Sequence, residues 1–160
     1  MSVVSWPALL GAKAGSGNVR EGSAAGMGMR CRGIRGATTV EANEGEEILE
    51  ATTELLTEML RANDLQVEDV ASAFFTTTRD LNAEFPAVAA RDRLGWNHVA
   101  LLCAHEMDVP GSMQRCLRIL LHVNTEREAH ELQHIYLRGA RKLRPDLNYG
   151  GDQRSEAKPP

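Results

Sequence analysis

The sequence predicts an α+β fold in which helices cover one face of a mixed β-sheet, with an α/β sandwich as the related alternative. The first observation is the order of elements, because apolar runs typical of strands alternate with helical segments as β-α-β-α-β-β-α-β. The second is a long segment with apolar residues at helical spacing. The third is the small number of helices, which leaves one sheet face uncovered. We therefore expect oligomerisation to bury that face.

The first strand and the long helix carry the strongest local signals. The strand covers residues 29–40, where Gly33 and Gly36 predict a bulge or the close approach of another backbone. Asn43 and Glu46 match a capping box, and the following helix is predicted to extend to about Ala62. Its apolar face is formed by Ile48, Leu49, Thr52, Leu55, Leu56, Met59 and Leu60.

The remaining elements are shorter. Phe85-Pro86 predicts the start of a short helix, and Gly95 its end. Thr125 with Glu128 predicts a capped polar helix over 125–133. The other four strands are predicted at 67–77, 96–103, 116–124 and 135–143.

Length and composition exclude several classes of protein. A chain of 160 residues fits one domain, and a net charge of −4 argues against a strongly basic nucleic-acid binder. Cys31, Cys103 and Cys116 form no C-x-x-C pair, which favours a reducing compartment, so we expect a cytoplasmic protein. No apolar run approaches the ~20 residues of a membrane span, and no signal peptide is evident.

The two ends of the chain differ from the predicted domain over 29–147. Residues 1–28 are rich in Gly, Ala and Ser and predict a disordered extension. Because Met27 and Met29 directly precede the first strand, a start codon assigned too far upstream is the alternative. Residues 148–160 predict a flexible tail.

One short motif suggests a zinc hydrolase. His130-Glu131-Leu132-Gln133-His134 matches H-E-x-x-H, which binds zinc when both histidines share one buried helical face. Here the predicted helix is short and polar and a strand follows at once. We therefore interpret the motif as a chance match on a solvated face, and metal analysis would distinguish the two.

An arginine within an apolar strand is the clearest chemical signal. Arg118 is flanked by Leu117 and Ile119, and such a charge is costly unless it meets an anion. Cys103 and Glu106 lie at the end of the preceding strand, so a thiol, a carboxylate and a guanidinium are expected at the ends of two neighbouring strands. Arg35, Tyr136, Phe85 and Arg91 each have an ordinary structural explanation when taken alone.

The sequence contains no recognisable nucleophile, metal cluster or phosphate-binding glycine loop. Neither a Ser-His-Asp nor a Cys-His arrangement is evident. A site rich in arginine without a nucleophile indicates binding of a small anion and electrostatic catalysis.

Four separated segments resemble the monofunctional α/β class of chorismate mutase. They are residues 32–41 (RGIRGATTVE), 80–87 (DLNAEFPA), 103–111 with its Glu-Met-Asp-Val, and 143–147 (LRPDL). The resemblance implies a homotrimeric pseudo-barrel with active sites between subunits. It also implies the rearrangement of chorismate to prephenate, towards phenylalanine and tyrosine, without a cofactor or metal.

The resemblance also implies a role for each matched residue. Arg118 is expected to donate to the ether oxygen of chorismate. Arg35, helped by the Tyr136 hydroxyl, is expected to hold a carboxylate, and Glu106, with Cys103 beside it, to accept from the ring hydroxyl. The neighbouring subunit is expected to supply Phe85, Ala87 and Arg91. The carboxy-terminal segment, with Leu143 and Arg144, is expected to close over the ligand.

The main alternative to an enzyme is a non-catalytic small-anion sensor on the same trimeric scaffold. Retention of Arg35, Arg118, Glu106 and Tyr136 argues against it, because a sensor need not match a transition state. An absorbance assay for chorismate loss separates the two.

Overall fold

A computed structural model describes residues 28–147 of the chain. The predicted extension over residues 1–28 lies outside the described residues except for Gly28, and the predicted tail over 148–160 lies wholly outside them. Both stay predictions.

Five strands and one long helix make up the domain. The strands are β1 (Arg30–Thr39), β2 (Val70–Thr77), β3 (Ala100–His105), β4 (Cys116–Thr125) and β5 (Ile135–Tyr136), and the helix is α1 (Gly45–Asn63). Short helical turns lie at Val67–Asp69, Ala89–Arg93, Ala129–Glu131 and Arg138–Leu143; the second is a π-helix and the others are 3₁₀ helices. This arrangement confirms the predicted α+β class. Within the described residues, no helix is long and apolar enough to cross a membrane.

The strands form one mixed sheet in the order β3-β2-β4-β1-β5. β4 pairs antiparallel with β1 and β2, whereas β2–β3 and β1–β5 are parallel pairs. Alternate residues of each strand point to opposite faces. Ile34, Phe75 and Leu121 face α1 and are almost fully buried with it in the main core.

The opposite face of the sheet, here called the open face, carries the other set of side chains. It includes Arg35, Phe74, Leu102 and Arg118, which alternate with the buried residues. Phe74 and Leu102 are cross-strand partners and are 37% and 54% exposed. An apolar pair in this position is unusual for the surface of a monomer.

The beginning of α1 differs from the predicted capping box. The N-cap residue is Glu44, and it makes no side-chain cap hydrogen bond. Asn43 instead accepts hydrogen bonds from the backbone N–H groups of Asn82 and Ala83. The Glu47 carboxylate binds the N–H groups that precede the helix. The Asn43 side chain, which the local pattern predicts as the helix cap, therefore makes a tertiary contact instead. The end of α1 is as predicted, with Asp64 in the left-handed conformation (φ 51°).

The second half of the chain contains less regular structure than predicted. The predicted helix over 125–133 is wrong except for the single turn at Ala129–Glu131, because β4 continues to Thr125. The predicted last strand over 135–143 ends at Tyr136, and a 3₁₀ helix follows. β3 begins at Ala100 rather than Trp96, whose ring is buried in the core. Tertiary packing decides these short segments, since their own propensities are weak.

The glycines of β1 do not produce a bulge. β1 pairs with β4 in unbroken register from Arg30 to Thr39. A β-carbon at Gly36 would lie 3.2 Å from Leu55 Cδ1 and closer still to Met59 Sδ. The approach at Gly36 is therefore by the side chains of α1 and not by another backbone.

Gly36→Ala should destabilise the protein, because it inserts a methyl group into a filled helix–sheet interface. We expect a loss of about 1–3 kcal/mol in the free energy of unfolding, measured by urea titration. Gly33→Ala on the same strand is the matched control. Its added carbon meets only Leu120 Cδ1, at 3.6 Å, an ordinary contact. Equal stability of the two variants would contradict a filled helix–sheet interface at Gly36.

Candidate functional site

A row of paired residues crosses the open face and brings together side chains that are far apart in sequence. The register pairs Tyr136 with Ala37, Ala37 with Arg118, and Arg118 with Thr76. Neighbouring strands are about 4.8 Å apart and paired residues point to the same face. Arg118 therefore lies between the phenol of Tyr136 and the hydroxyl of Thr76, separated from the phenol only by the small Ala37.

Glu106 completes this row from the end of β3. Its backbone N–H donates to the Thr77 carbonyl (2.9 Å), which extends the β2–β3 pairing by one residue. Its carboxylate accepts a hydrogen bond from the Thr76 hydroxyl and lies 3.6 Å from Nη1 of Arg118. The Arg118 and Glu106 side chains are 38% and 26% exposed, so both are partly withdrawn from water.

The guanidinium of Arg118 lies beside Glu106, but one of its hydrogen-bond donors has no acceptor among the described residues. Its Nε is buried and has no hydrogen-bond partner among the residues that the structure describes. Burial opposes the charge, but Cys116 and Glu106 raise the pKa of Arg118 above its ordinary value. An unsatisfied buried donor costs about 1–3 kcal/mol, which a bound acceptor would offset.

A cleft of about 560 Å³ lies over this row. Arg35, Arg118 and Arg144 line it together with Glu106, so three guanidinium groups face one carboxylate. Tyr136 and Leu143 also line it. The arrangement suits a small ligand with more than one negative charge.

Arg144 is held at the cleft by a neighbouring carboxylate. Its Nε and Nη2 donate to Asp146 at 2.9 and 2.7 Å. This pairing raises the pKa of Arg144 and lowers the pKa of Asp146 to about 2. The pair is therefore ionised at neutral pH.

Four predicted site residues lie elsewhere in the same chain. Phe85 and Cys103 line a second cleft of about 330 Å³. Ala87 packs against the main core, and Arg91 is exposed and pairs with Asp92. Burial raises the pKa of the Cys103 thiol, so it is a neutral group.

The predicted meeting of thiol, carboxylate and guanidinium at two neighbouring strands is wrong in two respects. β2 lies between β3 and β4 in the sheet. Cys103 also points to the α1 side, away from Arg118, since it alternates with Leu102 on β3. Glu106 reaches Arg118 because it follows the end of β3 and extends past β2.

The H-E-x-x-H segment does not form the helix that a zinc site of this type needs. Its helical turn ends at Glu131, so His130 and His134 do not share a helical face. Over residues 28–147, no group of three His, Cys, Asp or Glu side chains could hold a metal ion. The predicted solvated face is correct for His130, which is exposed, but wrong for His134, which is half-buried beside β1.

Sequence reasoning missed Thr76 and His134 as members of the site region. Thr76 follows Phe74 and Phe75 near the end of β2. Its role depends on its long-range pairing with Arg118. The backbone N–H of Arg35 donates to Nδ1 of His134 at 3.2 Å. Neither contact has a local signal in the sequence.

Comparison with known proteins agrees with this geometry. A family model described as chorismate mutase type I matches residues 31–147. The chain belongs to the chorismate mutase type I family. The chain is 43% identical over 120 residues to chorismate mutase AroH of Bacillus subtilis (strain 168), covering 75% of this chain and 94% of the relative. It is 50% identical over 117 residues to chorismate mutase AroH of Thermus thermophilus, covering 72% and 95%.

A solved chorismate mutase from Clostridium thermocellum has the same fold. It superposes with a TM-score of 0.68 at 49% identity, covering 69% of this chain and 98% of that structure. The predicted chorismate mutase resemblance and the assignment as an isomerase of aromatic biosynthesis are confirmed by these relatives. The alternative of a non-catalytic sensor has no support among them.

Proposed function

We propose that the protein rearranges chorismate to prephenate in the cleft over Arg118. The observation that carries this proposal is the row of Tyr136, Arg118 and Thr76 with Glu106, flanked by Arg35 and Arg144. Chorismate has two carboxylates, and the cleft offers an excess of guanidinium groups. The rearrangement is pericyclic and unimolecular, so it needs no acid, base or nucleophile.

Catalysis then depends on shape and charge. The enzyme holds the enolpyruvyl side chain over the ring in a chair-like arrangement, which removes the entropic cost of finding that conformation. As the C–O bond breaks, negative charge grows on the ether oxygen, and we assign Arg118 to donate to it. The buried Nε, which has no hydrogen-bond partner within residues 28–147, supports this assignment, because an acceptor from the ligand would satisfy it.

The other residues bind and orient the substrate in this proposal. Arg35 and Tyr136 hold one carboxylate, and Glu106 accepts from the ring hydroxyl. Thr76, which donates to Glu106, fixes that carboxylate. Arg144 and Leu143 close over the ligand from the carboxy-terminal side, where both line the cleft.

We further propose that a homotrimer completes each site. The exposed Phe74–Leu102 pair on the open face supports burial against other subunits. Phe85, Ala87 and Arg91 lie away from the Arg118 cleft of their own chain, as expected if they serve a neighbour's cleft. We assign Cys103 to the residues that serve the neighbour's cleft too, since it lines the same small cleft as Phe85.

Two measurements on the purified protein test this proposal. Loss of chorismate absorbance, with prephenate identified as product, reports the reaction, and native mass spectrometry reports the oligomer. Absence of turnover would refute the activity, and an active monomer would refute the shared site. The cytoplasmic location predicted from the cysteine content stays a prediction.

Arg144→Ala should weaken substrate binding more than it slows the chemical step. We expect KM to rise about tenfold, equivalent to about 1.4 kcal/mol, with a smaller change in kcat. Arg141→Ala is the matched control, because it removes the same charge from the preceding 3₁₀ helix outside the cleft. Steady-state kinetics at constant ionic strength would measure both, and similar KM values for the two variants would contradict the role of Arg144.

A further inference from the structure

We propose that the neutral imidazole of His134 positions Arg35 for substrate binding by accepting the hydrogen bond from the Arg35 backbone N–H. This inference rests on the proposed role of Arg35 in binding a carboxylate. His134 is a positioning residue in this account, since it acts through Arg35.

The imidazole replaces a missing strand partner. The β1–β5 pairing starts only at Gly36 and Ile135, so it ends one residue short of Arg35. At that point the Arg35 N–H donates to Nδ1 of His134 at 3.2 Å. A side-chain acceptor thus continues the edge of the sheet at the residue that bears the guanidinium.

His134 is itself fixed from both sides along the chain. Asn63, the last residue of α1, holds Gln133 by two hydrogen bonds: its Oδ1 accepts from the Gln133 N–H (2.7 Å) and its Nδ2 donates to the Gln133 carbonyl (2.9 Å). On the other side, the Leu137 N–H donates to the Ala37 carbonyl (2.9 Å). Because its neighbours in the chain are bound to α1 and to β1, the ring has a fixed position from which it can hold the Arg35 N–H.

The charges around His134 favour the neutral form that this contact requires. Burial, followed by the positive charges of Arg35 and Arg144, lowers the pKa of His134 below its ordinary value of 6.5. These two arginines are the charged groups that act on the ring from β1 and from the carboxy-terminal segment. Tyr136 is the titratable group two residues further along. A protonated ring has no acceptor at Nδ1, so acid should release the Arg35 N–H.

The test compares His134→Asn and His134→Leu with wild-type protein by chorismate kinetics between about pH 7.5 and about pH 5. Asn offers an oxygen near the place of Nδ1 but does not titrate, whereas Leu offers no acceptor. We expect wild-type KM to rise towards the acid end of this range, because the pKa of His134 is lowered below its ordinary value. His134→Asn should keep a near-wild-type KM across the range. His134→Leu should raise KM roughly fivefold or more at every pH, with little change in kcat. Thermal unfolding and native mass confirm that the variants are folded.

The outcomes separate this inference from the proposed function. The role of His134 would be overturned if His134→Leu had the same KM as the wild-type protein. It would also be overturned if the KM of His134→Asn rose in acid as much as the wild-type KM does. Arg35→Ala serves as the reference: if it raises KM while His134→Leu does not, the inference fails and the proposed site stands. If wild-type protein consumes no chorismate, the proposed function itself fails.

Discussion

Arg118→Ala should reduce kcat by roughly 10²–10³-fold, the loss of one preorganised donor to a charge that develops in the transition state. The effect should fall mainly on kcat, because the ether oxygen gains most of its negative charge as the bond breaks. Single-turnover measurement of chorismate loss would report it directly. Arg118→Lys should also be poor, since a flexible point charge lacks the planar fork and its fixed Nε.

Arg61→Ala is the control for this variant. Arg61 lies on the outer surface of α1, where it pairs with Glu58. Its removal should leave kcat and KM unchanged and cost less than about 1 kcal/mol in stability. Turnover by Arg118→Ala within a few-fold of this control would remove Arg118 from the mechanism.

Two inactive variants should restore activity to one another if each site is shared between subunits. We expect Arg118→Ala and Arg91→Ala to be nearly inactive as homotrimers. In trimers assembled from equal amounts of both, about one site in four unites an intact Arg118 with an intact Arg91 from the neighbouring subunit. Activity should therefore rise from near zero to about a quarter of the wild-type value. Refolding the mixed chains, followed by chorismate kinetics, would measure this.

A pair of variants from the same half of the site provides the control. Arg118→Ala mixed with Arg35→Ala should gain nothing over the average of the two separate variants. Both arginines of a cleft come from one chain, and every chain in this mixture lacks one of them, so no intact cleft can form. Recovery with Arg118→Ala and Arg91→Ala equal to that of this control would place both arginines in one subunit.

The sequence predicted the elements whose burial pattern is local. The spacing of Ile48, Leu55 and Met59 gave the face of α1 that the structure buries. The apolar neighbours of Arg118 indicated that it needed an anion, and the structure places it at a cleft with Glu106. In both cases the signal comes from neighbouring residues of the same element, so a short window contains the information.

Prediction failed where non-local contacts outweigh weak local preferences. Asn43 matched a cap but binds the backbone of residues 82–83. The segment over 135–143 looked like a strand, yet only Ile135 and Tyr136 pair with β1. Cys103, Glu106 and Arg118 were expected at the ends of two neighbouring strands, but β2 lies between those strands and Cys103 packs against the main core.

By itself the sequence determined the fold class, the helix face and the set of arginines that point to a small anion. Motifs spread over residues 32–147 were enough to indicate the family. Only the tertiary structure decided that Tyr136, Arg118 and Thr76 form one row and that His134 supports Arg35. The reason is physical: strand order and register depend on pairings between residues 28 to 99 positions apart in the chain, and no local period records which strand lies beside which.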